Sequence, residues 1–180
     1  KILMPYFIPW RDKEIKLSKS ESLKYTTDIV FVGHYEDDGR LEYIREIVDN
    51  KMSLKIWGTG WDGILKSSNL DELCPVERVL DEEYRKALSG SKICLCFLSK
   101  INRDVYTRRC FEIPSFNRLL LSERTAELSS LFREGVDAEF FSTPSELIRK
   151  LKILLSDNHK LTELSKAGYE RVYAQGHDIK

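Results

Sequence analysis

The polar stretch over residues 99–107 carries Lys100, Asn102, Arg103 and Asp104, and the pattern from about residue 108 to 113 reads as a helix opening on Arg108 and Arg109. A helix N-terminus presents backbone N–H groups without intrahelical partners, and arginine adds a planar fork of donors. That combination suits a phosphate or a diphosphate. Gly33 and His34 end another apolar run, and glycine there, with Gly39 beyond it, lets the backbone approach a ligand closely. Neither G-x-G-x-x-G nor G-x4-G-K-[ST] occurs, which disfavours a nicotinamide enzyme and an ordinary nucleoside triphosphatase.

Strands and helices must position these groups. Residues 28–33 form an unalternating β-branched run ended by glycine, the pattern of a central parallel strand covered on both faces. Residues 54–57, 76–80, 93–98, 119–121 and 138–141 read as further strands. Helical patterns lie over residues 41–48, 81–88, 108–113, 125–132, 144–155 and 158–173. Thr143-Pro144-Ser145-Glu146 is a helix-start signal, with a capping box and proline at the first helical position. Alternation at this spacing predicts a Rossmann-like α/β domain: a doubly wound parallel sheet of about six strands with helices on both faces. Ligands of such sheets bind beyond the carboxyl ends of the strands, at residues 33–40, 57–63, 99–107 and 122–125 here. Residues 1–27 show no clean period and read as a linker or hinge ahead of a domain over residues 28–180.

Composition narrows the class. The 180 residues carry 29 Lys and Arg against 29 Asp and Glu, a formal net charge of +0 that argues against a general nucleic-acid binder. No apolar run reaches the ~18 residues that a membrane-spanning helix needs. The four cysteines, Cys74, Cys94, Cys96 and Cys110, lack the paired spacing of a zinc site and read as reduced structural thiols in a cytoplasmic protein. The opening segment has no initiator Met and is broken by Pro5 and Pro9, so the chain reads as a piece of a longer protein.

A family resemblance adds to this. At Asp28-Ile29-Val30-Phe31-Val32-Gly33-His34-Tyr35, at Trp57-Gly58-Thr59-Gly60-Trp61 and at Arg109-Cys110-Phe111-Glu112-Ile113-Pro114, the sequence resembles the C-terminal, donor-binding half of GT-B glycosyltransferases. The likeness is to the spore-maturation-type group within the family-4-like, group 1 enzymes. It continues through Leu119-Leu120-Leu121-Ser122-Glu123, Ser145-Glu146-Leu147 and Ala167-Gly168-Tyr169-Glu170-Arg171-Val172, in order, over about residues 28–174. Family-4-like retaining enzymes carry an E-x7-E motif whose second glutamate holds the nucleotide ribose. Glu112 stands at that position, and Asp104 replaces the first glutamate. The family's small residue after E-I-P is Phe116 or Asn117 here.

The resemblance implies transfer of a sugar from a nucleotide-diphosphate donor to an acceptor, with retention. Arg108 and Arg109 would neutralise the diphosphate, where negative charge develops as the sugar leaves. Glu112 would hold the ribose, Asp104 would meet sugar hydroxyls, and Gly33, His34, Lys100 and Asn102 would line the nucleotide site. No metal and no separate cofactor are implied, because such sites rely on helix termini and basic side chains. The implied partner is an N-terminal domain of the same polypeptide, without which the isolated half would turn over poorly. Trp57 and Trp61 would either wall a base pocket or pack. A non-catalytic α/β assembly module and a GT-B-like sugar-nucleotide epimerase are the alternatives.

Overall fold

The computed structural model describes residues 6–178; residues 1–5, the start of the expected linker, and residues 179–180 lie outside the described residues. Five strands, β1 (Thr27–Val32), β2 (Leu54–Trp57), β3 (Ser91–Cys96), β4 (Leu119–Glu123) and β5 (Glu139–Phe141), form one parallel sheet in the order β2-β1-β3-β4-β5. β1 lies between β2 and β3, with Ile29 opposite both Leu54 and Ile93. Side chains alternate between the two faces of a strand, so Ile29 and Phe31 enter one apolar layer and Val30 and Val32 the other. Both faces are covered. That explains why these runs are apolar throughout.

The first layer is completed by α2 (Arg40–Asp49), α3 (Asp62–Ser67) and α7 (Pro144–Ser156), and the second by α4 (Asp81–Ser89), α5 (Arg109–Ser115) and α6 (Ala126–Leu131). α8 (Asn158–Ala174) spans them, placing Leu161 and Leu164 in the first and Val172 in the second. α7 begins as its sequence requires: Thr143 Oγ1 accepts from the Glu146 amide at 3.2 Å. The Glu146 carboxylate reaches back to the amide of Ser142, one residue earlier than a reciprocal box would have it.

Three local expectations are corrected. The sheet has five strands, because residues 76–80 are extended but pair with no strand. Val76 and Val79 are buried there, and the segment passes the carboxyl end of β2, where Gly58 N–H donates to the Glu77 carbonyl at 2.9 Å. The aperiodic stretch before the sheet contains α1 (Lys19–Tyr25), which starts on a capping box between Ser18 and Glu21 and packs on α4. Residues 62–75, which carry none of the strand or helix patterns given above, contain α3 and a short 3-10 turn (Asp71–Leu73).

The chain leaves β1 for β2 on one side and returns to β3 on the other. Strand order therefore reverses at β1, and a crevice opens beyond the carboxyl ends there.

Candidate functional site

A cleft of about 530 Å³ occupies that crevice. The end of β1 supplies Val32, Gly33 and His34, and the turn after β2 supplies Gly58 and Thr59. Arg78 to Asp81 and Tyr84 form a further wall, and Arg109 enters from the start of α5. The Arg109 guanidinium has no hydrogen bond or ion pair with any described residue, so it is available to a ligand, while its charge also acts on Glu112 and Tyr84. α5 has only seven residues, and it is the arginine rather than a long peptide dipole that charges this corner. His34 is exposed and its Nε2 lies 2.7 Å from Oε1 of the buried Glu36, which fixes the ring at the mouth.

Glu112 faces an adjoining hollow of about 160 Å³, lined by Arg11, Asp12, Asp81, Tyr84 and Arg85; Asp81 and Tyr84 belong to both spaces. The Tyr84 hydroxyl donates to Glu112 Oε2 at 3.0 Å, and Arg108 Nε lies 2.8 Å from Oε1. Burial pushes the Glu112 carboxyl above the usual value, and the charge of Asp12 adds to it; Tyr84, Arg109 and Arg11 oppose the rise. Burial, with Glu112 as neighbour, pushes the Tyr84 hydroxyl well above its ordinary range, so it stays a donor.

The other expected residues are dispersed. Arg108 points away from the main cleft, toward Asp12 and Glu112. Lys100 and Asp104 line a separate cleft of about 350 Å³ beyond β3 and β4, with Arg103, Glu123 and Arg124. Lys100 Nζ donates to the Asp38 carbonyl, and Asn102 is exposed and lines none of these spaces. Trp61 and Trp57 are buried, against Phe31 and Tyr25, and neither lines the cleft. Among the described residues no group of three or more His, Cys, Asp and Glu side chains could hold a metal ion.

Asp12, Arg78, Asp81 and Tyr84 escaped the sequence reading as site residues. Only Asp81 carried a signal, as the expected start of a helix; the others gain their place by contacts remote in sequence.

Solved structures share this parallel fold. The C-terminal domain of the glycosyl transferase group 1 family protein LpcC from Francisella tularensis matches with a TM-score of 0.72 at 12% identity, over 97% of this chain and 100% of that one. HepE from Anabaena, solved in complex with UDP-glucose, matches with a TM-score of 0.72 at 13% identity, over 99% of this chain and 53% of that one. Sucrose-phosphate synthase from Thermosynechococcus elongatus gives a TM-score of 0.70 at 13% identity, over 94% of this chain and 46% of that one. The fold is one half of a GT-B architecture, and the chain spans about half the length of the latter two proteins.

The chain belongs to the glycosyl transferase-like family, whose model matches residues 40–180. No curated protein matches the sequence. No helix among the described residues is long and apolar enough to cross a membrane.

Proposed function

We propose that this chain is the donor-binding half of a glycosyltransferase that takes a nucleotide-diphosphate sugar. The observation that carries the reading is the 530 Å³ cleft at the switch point, lined by an Arg109 guanidinium that is hydrogen-bonded to no described residue. Arg109 and Arg78 bind the diphosphate there, and His34 and the backbone around Gly33 line it. Glu112 accepts the ribose hydroxyls in the adjoining hollow, whereas Lys100, Asn102 and Asp104 belong to the loop on the sugar side. The crystal complex of HepE with UDP-glucose supports a sugar nucleotide as ligand for this half-domain.

In transfer, the bond from the anomeric carbon to the diphosphate oxygen breaks with its electron pair going to that oxygen, a new bond forms to the acceptor oxygen, and the acceptor's proton passes to the departing diphosphate. Negative charge grows on the departing diphosphate, and fixed guanidinium groups stabilise it most at that moment. Retention of configuration rests on the family resemblance. The acceptor contacts come largely from a second domain, so this half alone turns over poorly. The donor is a substrate, and no metal or separate cofactor is part of the proposal. Four cysteines without a disulfide agree with a reducing, cytoplasmic setting.

Titration of the chain with UDP-glucose, GDP-mannose and ADP-glucose, followed by amide chemical shifts, tests the reading. Saturable shifts around residues 33–34, 78–84 and 109–112 are expected for one of them. No shift with any would leave the assembly module as the better description; exchange of the donor without acceptor would mark an epimerase.

A further inference from the structure

Asp12 lies ahead of the sheet, in a stretch expected to be a linker, yet only 2% of it is exposed. Its Oδ2 accepts from the Ile8 amide at 2.8 Å and from Arg11 Nη2 at 3.0 Å, and its Oδ1 accepts from Arg11 Nε at 2.6 Å. Arg108 Nη2 donates to the same Oδ2 at 3.1 Å, and the Asp12 carbonyl accepts from Ser115 Oγ at 2.7 Å. Arg108 then spans to Glu112, its Nε 2.8 Å from Oε1, and Arg11 Nη2 lies 3.7 Å from that oxygen. Two buried carboxylates thus share one guanidinium. Both carboxylates are buried while the arginines are partly exposed, so losing either guanidinium leaves a carboxylate away from water with less compensation.

We propose that Asp12 is a positioning residue of the donor site: through Arg108 and Arg11 it holds the Glu112 carboxylate in place to accept the ribose hydroxyls of the nucleotide. The inference rests on the donor-binding reading above. It makes the segment before the sheet part of the site. It also gives Arg108 a task distinct from that of Arg109: one orients an acid, and the other faces the diphosphate.

The groups facing Glu112 are Arg11 and Asp12 from the leading segment, Asp81, Tyr84 and Arg85 from α4, and Arg109 of its own helix with the N-cap Arg108. The ionised Glu112 is the form that accepts two hydroxyls, so affinity falls as pH drops through its pKa. Removing the Asp12 charge lowers that pKa, and removing the Arg108 charge raises it.

The test measures dissociation constants for UDP-glucose and GDP-mannose by NMR across about pH 4 to 8, a window in which the diphosphate diester of the ligand does not titrate. Wild type should lose affinity toward acid, and Glu112→Gln should flatten that limb. Asp12→Asn should weaken binding severalfold at neutral pH and move the midpoint down. Arg108→Gln, which leaves the Asp12 turn with Ile8 and Arg11 intact, should weaken binding and move the midpoint up; it keeps the test open if Asp12→Asn fails to fold. A uniform loss with the midpoint unmoved in both variants overturns the assignment and leaves Asp12 a structural anchor, while Glu112 keeps its role. Absence of binding to wild type, by contrast, removes the donor reading itself.

Discussion

The indole Nε1–H of Trp61 donates to the backbone carbonyl of Gly33 at 2.8 Å, tying the turn after β2 to the end of β1 across 28 positions of sequence. Gly58 meets the same carbonyl: a Cβ there would fall 1.9 Å from the Gly33 oxygen, and its φ of +152° disfavours a side chain as well. The Trp-Gly-Thr-Gly-Trp stretch is therefore a clamp beneath the cleft, with its tryptophans turned inward.

Trp61→Phe removes that donor and leaves a buried carbonyl without a partner. The cost should be about 2 kcal/mol or more, from the lost bond plus the lost volume. Urea unfolding measures it. A change within error would show that the clamp contributes nothing to the fold.

Gly168→Ala should destabilise, against the usual sense of such a change. Alanine gains about 1 kcal/mol over glycine within an exposed helix. Here a Cβ would stand 2.7 Å from the carbonyl oxygen of Asp137, a residue pinned by Arg133 through its amide at 2.6 Å and its Nε at 2.8 Å. Neither backbone can yield cheaply, and overpacking of this kind costs about 1–3 kcal/mol. A raised melting temperature would contradict the tight approach of α8 to this loop.

Arg109→Ala separates binding from stability. The side chain makes no bond to the described residues, so unfolding free energy should stay within about 0.5 kcal/mol of wild type. A charge-assisted contact to phosphate is worth about 1.5–3 kcal/mol, so sugar-nucleotide affinity should fall roughly 10- to 150-fold. Calorimetry at one salt concentration compares the variant with wild type. Equal affinities would remove Arg109 from the site.

The Glu134 carboxyl bridges Arg124 and Lys150. Its hydrogen bonds to Arg124 hold it down to about 2 from the ordinary 4.5, with Lys150 adding to them against the cost of burial. A depressed carboxyl stabilises the fold above its unfolded value and loses that contribution as pH falls through the folded one. Glu134→Gln should thus cost up to about 1 kcal/mol at neutral pH, the discounted worth of a partly exposed network. The difference should vanish as pH approaches about 2. Melting curves across that range check the sign.

Much of the fold is legible in the sequence because burial on both faces leaves an unmistakable mark. Runs such as Ile29 to Val32 and Ile93 to Cys96 have no polar alternation to confuse them. Residues 76–80 show the limit of that mark, since Val76 and Val79 are buried without being paired, and apolarity reports burial rather than hydrogen bonding. α1 has no apolar stripe, only Tyr25 buried, yet Ser18 and Glu21 hold the spacing of a capping box that would have revealed it.

The sequence by itself determined the alternation of strands and helices, the glycines beneath the cleft, and the acid and arginines at the start of α5. The tertiary structure decided which of those groups share a space. Arg108 and Arg109 are neighbours in the chain, but successive residues of a helix point about 100° apart. One side chain therefore turns to Asp12 and Glu112, and the other to the cleft. The partners that settle this choice, Asp12 and Tyr84, arrive from remote segments. Local pattern records what a residue can do, and packing alone determines which other groups lie within its reach.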